Sequence, residues 1–173
     1  MLNFRAILEV IGVLLVVLAI VMLGPLIADA VTHNRDWRTF AISAFLTGFV
    51  GGTLIFTNHG HRHTLTLRDA FFLTALAWVV LPAFGAFPFL FAYKGMGYTD
   101  AFFEAMSGIT SCGATVITGL DTAPAGILLW RALLNWIGGI GIIVVAMAVL
   151  PMLKVGGMQL FKMESSDKSE KIL

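Results

Sequence analysis

The residues able to do chemistry are concentrated in the stretch 93–125. Thr99-Asp100-Ala101-Phe102-Phe103-Glu104-Ala105-Met106-Ser107 reads as a short helix, with Thr99 as N-cap and Asp100 beside the positive end of the helix dipole. From Thr99 to Thr110 is 12 residues, about 18 Å of helix at about 1.5 Å per residue, which is roughly half a bilayer. Ser111-Cys112-Gly113-Ala114-Thr115-Val116 must then carry the chain back in extended form. Non-helical backbone at membrane depth is tolerated only where protein or a water-filled cavity surrounds it. A small, hydroxyl-rich return strand suits cation passage, because its carbonyls can replace an ion's hydration shell and Gly113 permits the backbone angles this needs. The negative end of the short helix points toward the membrane centre, where it favours a dehydrated cation.

Other reactive side chains have plainer readings beside the sharp ones. His59, His61 and His63 form an H-x-H-x-H pattern that can bind a transition metal, but no carboxylate or cysteine lies close in sequence, and a wet cytoplasmic loop explains them as well. Cys112 as a nucleophile would need a base, and no histidine lies near it in sequence. Glu104 and Arg131 both fall at membrane depth, where a charge is a functional hypothesis by default. They either influence the ion directly or form a buried pair, Glu104 with Arg131 or Arg131 with Asp121, that fixes the loop. Gly138 and Gly139 read as a gating hinge or as a close-packing face.

The elements that must position this loop are apolar. The 173 residues are 58% hydrophobic and 12% charged, with a mean hydropathy of +0.92, too few polar residues to clothe a soluble domain. The net charge of +1 and the lack of a basic, aromatic-interleaved stretch leave no case for nucleic acid, and one cysteine excludes a disulfide framework. Helices are expected near 5–28, 39–56, 67–91 and 126–150. Ala28-Asp29-Ala30 resembles a signal-peptide cleavage site, but the preceding run is long and Arg5 is balanced by Glu9, so a retained helix is expected, with a polar loop from Asp29 to Arg38. Gly48, Gly51 and Gly52 form a small-residue stripe for helix contact. With the N-terminus inside, seven of the eleven Lys and Arg residues, Lys154, Lys162, Lys168 and Lys171 among them, lie in the cytoplasm and four outside; both termini are therefore expected to be cytoplasmic.

The run from Asp100 to Gly108 followed by Thr110-Ser111-Cys112-Gly113-Ala114-Thr115-Val116 resembles the first pore loop of the TrkH/KtrB family of bacterial potassium uptake proteins. Gly119-Leu120-Asp121, Trp130-Arg131, Asn135-Trp136-Ile137-Gly138-Gly139-Ile140-Gly141 and Leu150-Pro151-Met152-Leu153 are similar to it too, and the likeness extends in weaker detail over the first two helices. The resemblance implies an all-α integral membrane protein of the bacterial inner membrane. Two N-terminal transmembrane helices (1–57) would precede one potassium-channel-like unit of outer helix, pore helix, filter and inner helix (67–151), with a cytoplasmic, interfacial tail (152–173). It implies transported potassium, no organic cofactor, and ion-facing carbonyls on Ser111, Cys112, Gly113 and Ala114 with Thr110 beside them. The potassium would lie against Ser111 and Cys112, and the Ser111 hydroxyl would sit at the cytoplasmic end. The family usually has threonine at the positions of Ser111 and Cys112; cysteine lacks the hydroxyl, which is harmless if it packs behind the strand and alters selectivity if it faces the ion. Family members carry four such repeats, dimerise, and are gated by a cytosolic nucleotide-binding regulatory subunit. One repeat encloses no ion, so a truncated or split subunit is expected, its other walls coming from further repeats or other copies of the chain. A homotetrameric single-repeat channel and a non-conducting membrane interaction protein are the rivals, and an enzyme is not expected.

Overall fold

A computed structural model describes residues 3–32, 37–59 and 66–149. The expectations placed on Arg35, on His61, Arg62 and His63, and on the tail from Pro151 with its four lysines lie outside the described residues. Among the described residues seven α-helices follow one another: α1 (Phe4–Val21), α2 (Leu23–Val31), α3 (Trp37–Asn58), α4 (Leu67–Gly85), α5 (Phe87–Ala92), α6 (Tyr98–Ile109) and α7 (Ala125–Val149), with a 3-10 turn at Leu120–Thr122 before the last. Among the described residues, four stretches are long and apolar enough to cross a membrane: Phe4–Val31, Trp37–Asn58, Arg68–Ala92 and Ala125–Ile143. The shortest has 19 residues, about 29 Å of helix, close to the hydrocarbon thickness of about 30 Å.

Two spans expected as continuous helices are interrupted, each for the same reason. Pro25 has no N–H for the carbonyl of Val21, and Pro88 has none for Phe84. The ladder breaks at Met22 and at Ala86, which nevertheless keep near-helical angles (φ −61°, ψ −18° and φ −72°, ψ −27°). Met22 N–H still reaches Leu18 O at 3.1 Å and Ala86 N–H reaches Pro82 O at 2.9 Å, so each pair runs on as one span. Asp29, expected to open a polar loop, is instead inside α2 and fully buried. At the start of α4, Thr66 and Asp69 form a reciprocal capping box, and the second oxygen of Asp69 accepts Asn3 N–H at 3.0 Å. That bond fastens the beginning of the chain to the third span.

Residues 1–139 form one compact unit and 140–173 a second, whose described part is the end of α7. Within the first unit, α1 lies on α3 at a glycine-to-glycine crossing. A Cβ on Gly12 would sit 2.8 Å from Gly51 O, and one on Gly51 equally close to Gly12 O. Of the expected glycine stripe, Gly51 thus makes the contact, Gly48 faces Ala19, and Gly52 has nothing within 4 Å. Ile7, Ile11 and Leu15 of α1 pack with Leu73, Leu76 and Val80 of α4. A second core gathers Phe40, Phe89, Ala101, Ala105, Ile127, Trp130 and Leu134 from four helices, and Trp130 Nε1 donates to Gly85 O at 3.0 Å beside the α4–α5 break. Outward faces are apolar, with Phe45 71% and Phe56 87% exposed, as suits helices solvated by lipid.

Candidate functional site

The short helix α6 is set by a turn at each end. Before it, Met96 N–H bonds Tyr93 O at 3.2 Å, closing a β-turn whose third residue, Gly95, has φ 95°, an angle that favours glycine. Helix α6 then begins after Gly97, with Tyr98 as its first residue and no side-chain cap. Thr99, expected as N-cap, therefore lies one residue inside the helix, while Asp100 is in the first turn as expected. The helix is 12 residues long, about 18 Å, too short to span.

Its far end is a Schellman turn. Ser111 N–H bonds Gly108 O and Cys112 N–H bonds Ser107 O, both at 3.0 Å, the paired bonds that satisfy the last carbonyls of a helix. Ser111 sits at the left-handed position with φ 59°, usually a glycine site because a Cβ there is strained. The return strand therefore starts one residue later than expected: Ser111 belongs to the turn and the chain runs back from Cys112. Gly113, at φ 77°, aims the next peptide. Residues 110–116 are all exposed, the Cys112 thiol among them.

The strand is held from behind by Glu104, which is fully buried in α6. Glu104 Oε1 accepts the Thr115 hydroxyl at 2.6 Å, Val116 N–H at 2.5 Å and Ile117 N–H at 3.2 Å. Oε2 pairs with the guanidinium of Arg131 in α7, and Arg131 Nη1 also reaches Thr115 Oγ1 at 3.4 Å. Of the two pairings open to Arg131 in the sequence, this is the one formed; Asp121 stands exposed on the 3-10 turn. A carboxylate that accepts three hydrogen bonds and faces a cation satisfies its charge within an apolar layer, where a lone charge is costly.

A second tie engages Ala114, one of the carbonyls expected to face the ion. Ser107 Oγ donates to Ala114 O at 2.6 Å, turning that carbonyl toward α6, whereas Ser111, Cys112 and Gly113 lie ahead of this tie. The turn sits close against α7. A Cβ on Gly138 would fall on the carbonyl of Ile109, one on Gly108 would come within 3.1 Å of Leu134, and Ser111 Oγ approaches Asn135 O at 3.4 Å. Gly138 is thus a packing position, while Gly139 has nothing within 4 Å. Thr110 caps α6 and its hydroxyl bonds back to Met106 O at 2.7 Å. At the strand's far end, an open cleft of about 290 Å³ is lined by Tyr93, Met96, Asp100, Val116, Ile117 and Thr118. Among the histidines, His59 Nδ1 lies 3.3 Å from Glu9 Oε1, a carboxylate distant in sequence.

Sequence reasoning overlooked Asp29. Its Oδ1 accepts Gly126 N–H at 2.7 Å, at the start of α7 and 97 positions away. The only signal was a carboxylate within an otherwise apolar run.

The chain is similar to known proteins over most of its length. Residues 37–172 match the family model TrkH, described as a cation transport protein. The potassium uptake protein TrkH of Vibrio parahaemolyticus is 42% identical over 94% of this chain and 34% of its own length; that of Escherichia coli is 40% identical over the same shares. TrkI of Halomonas elongata is 39% identical over 99% of this chain and 35% of its own. The crystal structure of the potassium transporter TrkH from Vibrio parahaemolyticus superposes with a TM-score of 0.84 at 40% identity, covering 99% of this chain and 37% of that one. The chain spans about a third of the length of these relatives. With a family model over most of its residues, the chain belongs to the TrkH family of cation transport proteins.

Proposed function

We propose that this chain supplies one wall of a potassium pathway across the bacterial inner membrane, as part of a Trk-type uptake system. The α4–α5 span would be the outer helix, α6 the pore helix, residues 111–114 the filter turn and strand, and α7 the inner helix, with α1–α2 and α3 as the preceding pair. The observation that carries the reading is the exposed run 110–116, tied from behind by Glu104 and Ser107 so that its other side stays open. The names of the relatives, potassium uptake proteins, support potassium as the cargo.

Transport would be replacement of water by backbone oxygens of Ser111, Cys112 and Gly113, with Ala114 at the edge of the set and the Ser111 hydroxyl near the helix end; no covalent step is involved. Potassium would pass against Ser111 and Cys112. The remaining walls come from further repeats or copies, lipid covers the outer faces, and a cytosolic nucleotide-binding regulatory subunit docks on the inner side, where both termini lie. Potassium or rubidium uptake by the complete polypeptide carrying this sequence, in cells lacking their own uptake systems, tests the reading. Gly113→Asp puts a side chain on a left-handed backbone and a carboxylate in the ion's path, so it should abolish flux and leave membrane insertion intact. Selective uptake by that variant would sink the filter assignment.

A further inference from the structure

Helix α7 starts at an amide that needs an acceptor. Leu128 N–H bonds Pro124 O at 3.1 Å, which makes Pro124 the N-cap of α7. Proline has no side-chain oxygen, so it cannot accept the amide two residues on, as serine or aspartate would. Asp29 does so from another span, its Oδ1 2.7 Å from Gly126 N. A carboxylate near the C-terminal end of its own helix α2 is unfavourably placed against that helix's dipole. The positive end of α7 offsets this, and the charge-assisted bond is stronger than a neutral one. Gly126 leaves the room required: the three atoms nearest a Cβ built there all belong to the Asp29 carboxyl group. Asp29 is fully buried, with 0% of its surface accessible.

We infer that Asp29 is a positioning residue for the filter, acting through the register of α7; the inference rests on the proposed filter role of the pore loop. Five residues beyond Gly126, Arg131 pairs with Glu104, and Glu104 holds the Thr115 hydroxyl and the amides of Val116 and Ile117. Four residues beyond Gly126, Trp130 bonds Gly85 O. Asp29 fixes the end of the helix on which the strand's support is mounted. The first two-part span is thereby part of the pore's alignment rather than a separate anchor.

The test uses the complete transporter with Asp29→Asn and, separately, Gly126→Ala. The first keeps shape and loses the charge; the second drives the carboxylate off the amide. Two readouts are taken, the ratio of rubidium to sodium uptake and the rate at which a small thiol reagent labels Cys112. Both are normalised per molecule, so lower abundance moves neither. The expected result is a fall of about tenfold in the ion ratio for each variant, the size expected for losing a charge-assisted hydrogen bond. Cys112 labelling should change, and the double variant should do no more than either alone. An unchanged ratio and labelling rate in either inserted variant, or additive effects in the double, would overturn the inference. If the unaltered transporter carried no potassium while Cys112 labelling still responded to Asp29→Asn, the alignment would stand and the proposed cargo would fail instead.

Discussion

Removing the Glu104 carboxylate should release the filter strand and strand a charge at the same time, and the two effects can be told apart. Four groups converge on this buried side chain: the Thr115 hydroxyl, the amides of Val116 and Ile117, and the Arg131 guanidinium. Breaking one side of a buried ion pair costs about 3–5 kcal/mol, and leaving the buried Ile117 amide without this acceptor adds about 1–3 kcal/mol. These terms share partners and do not sum. Glu104→Leu should therefore cost about 5 kcal/mol. Glu104→Gln, which keeps an acceptor oxygen, should cost about 3 kcal/mol, roughly a hundredfold shift toward a released strand. The double variant Glu104→Leu with Arg131→Met removes the stranded charge and should recover most of the lost stability, since well-packed apolar replacements of buried pairs are often neutral. It leaves the two amides unheld, so selective uptake should stay lost. Thermal unfolding in detergent and rubidium uptake against sodium competition, measured on the same four proteins, check both halves. Wild-type selectivity in the Leu–Met double would refute the idea that the carboxylate shapes the strand.

Other outcomes follow from close approaches. Gly138→Ala should push α6 from α7 and abolish uptake, because its methyl would fall on the Ile109 carbonyl, while Gly139→Ala, with open space around it, should leave flux within about twofold; a reversed order in the uptake assay would contradict the packing assignment. Gly51→Leu should destabilise by about 3 kcal/mol or more through overpacking at the α1–α3 crossing. Gly52→Leu, facing open space, should unfold within a few degrees of wild type.

Much of the architecture was legible from composition alone. Length and apolarity determine four spans, because a helix in hydrocarbon must satisfy its own backbone and cover about 30 Å. The 12-residue helix before the strand was readable too, since its length cannot cross and its successors are small. Proline positions told where a ladder would weaken, though Pro25 and Pro88 interrupt their spans three and two residues upstream rather than at themselves. That Ser111 would close the helix in a left-handed turn was hidden, because serine gives no local signal for an angle that glycine usually supplies.

Pairings across the fold were decided by tertiary structure. Glu104 and Arg131 were visible as intramembrane charges, but Asp121 was an equal candidate until packing brought α7 beside α6. Asp29 looked like the start of a loop because an isolated carboxylate reads as solvent-facing, and only the approach of α7 gave it an amide to accept. Which glycine of a stripe makes the crossing, Gly51 and not Gly52, depends on the rotation of α3 about its axis, which a nearly uniform apolar surface leaves unspecified. Sequence by itself determines what lipid demands of each segment, since that depends on length and polarity summed along the chain. Which buried donor meets which acceptor depends on how the segments are juxtaposed, and that exists only once they pack.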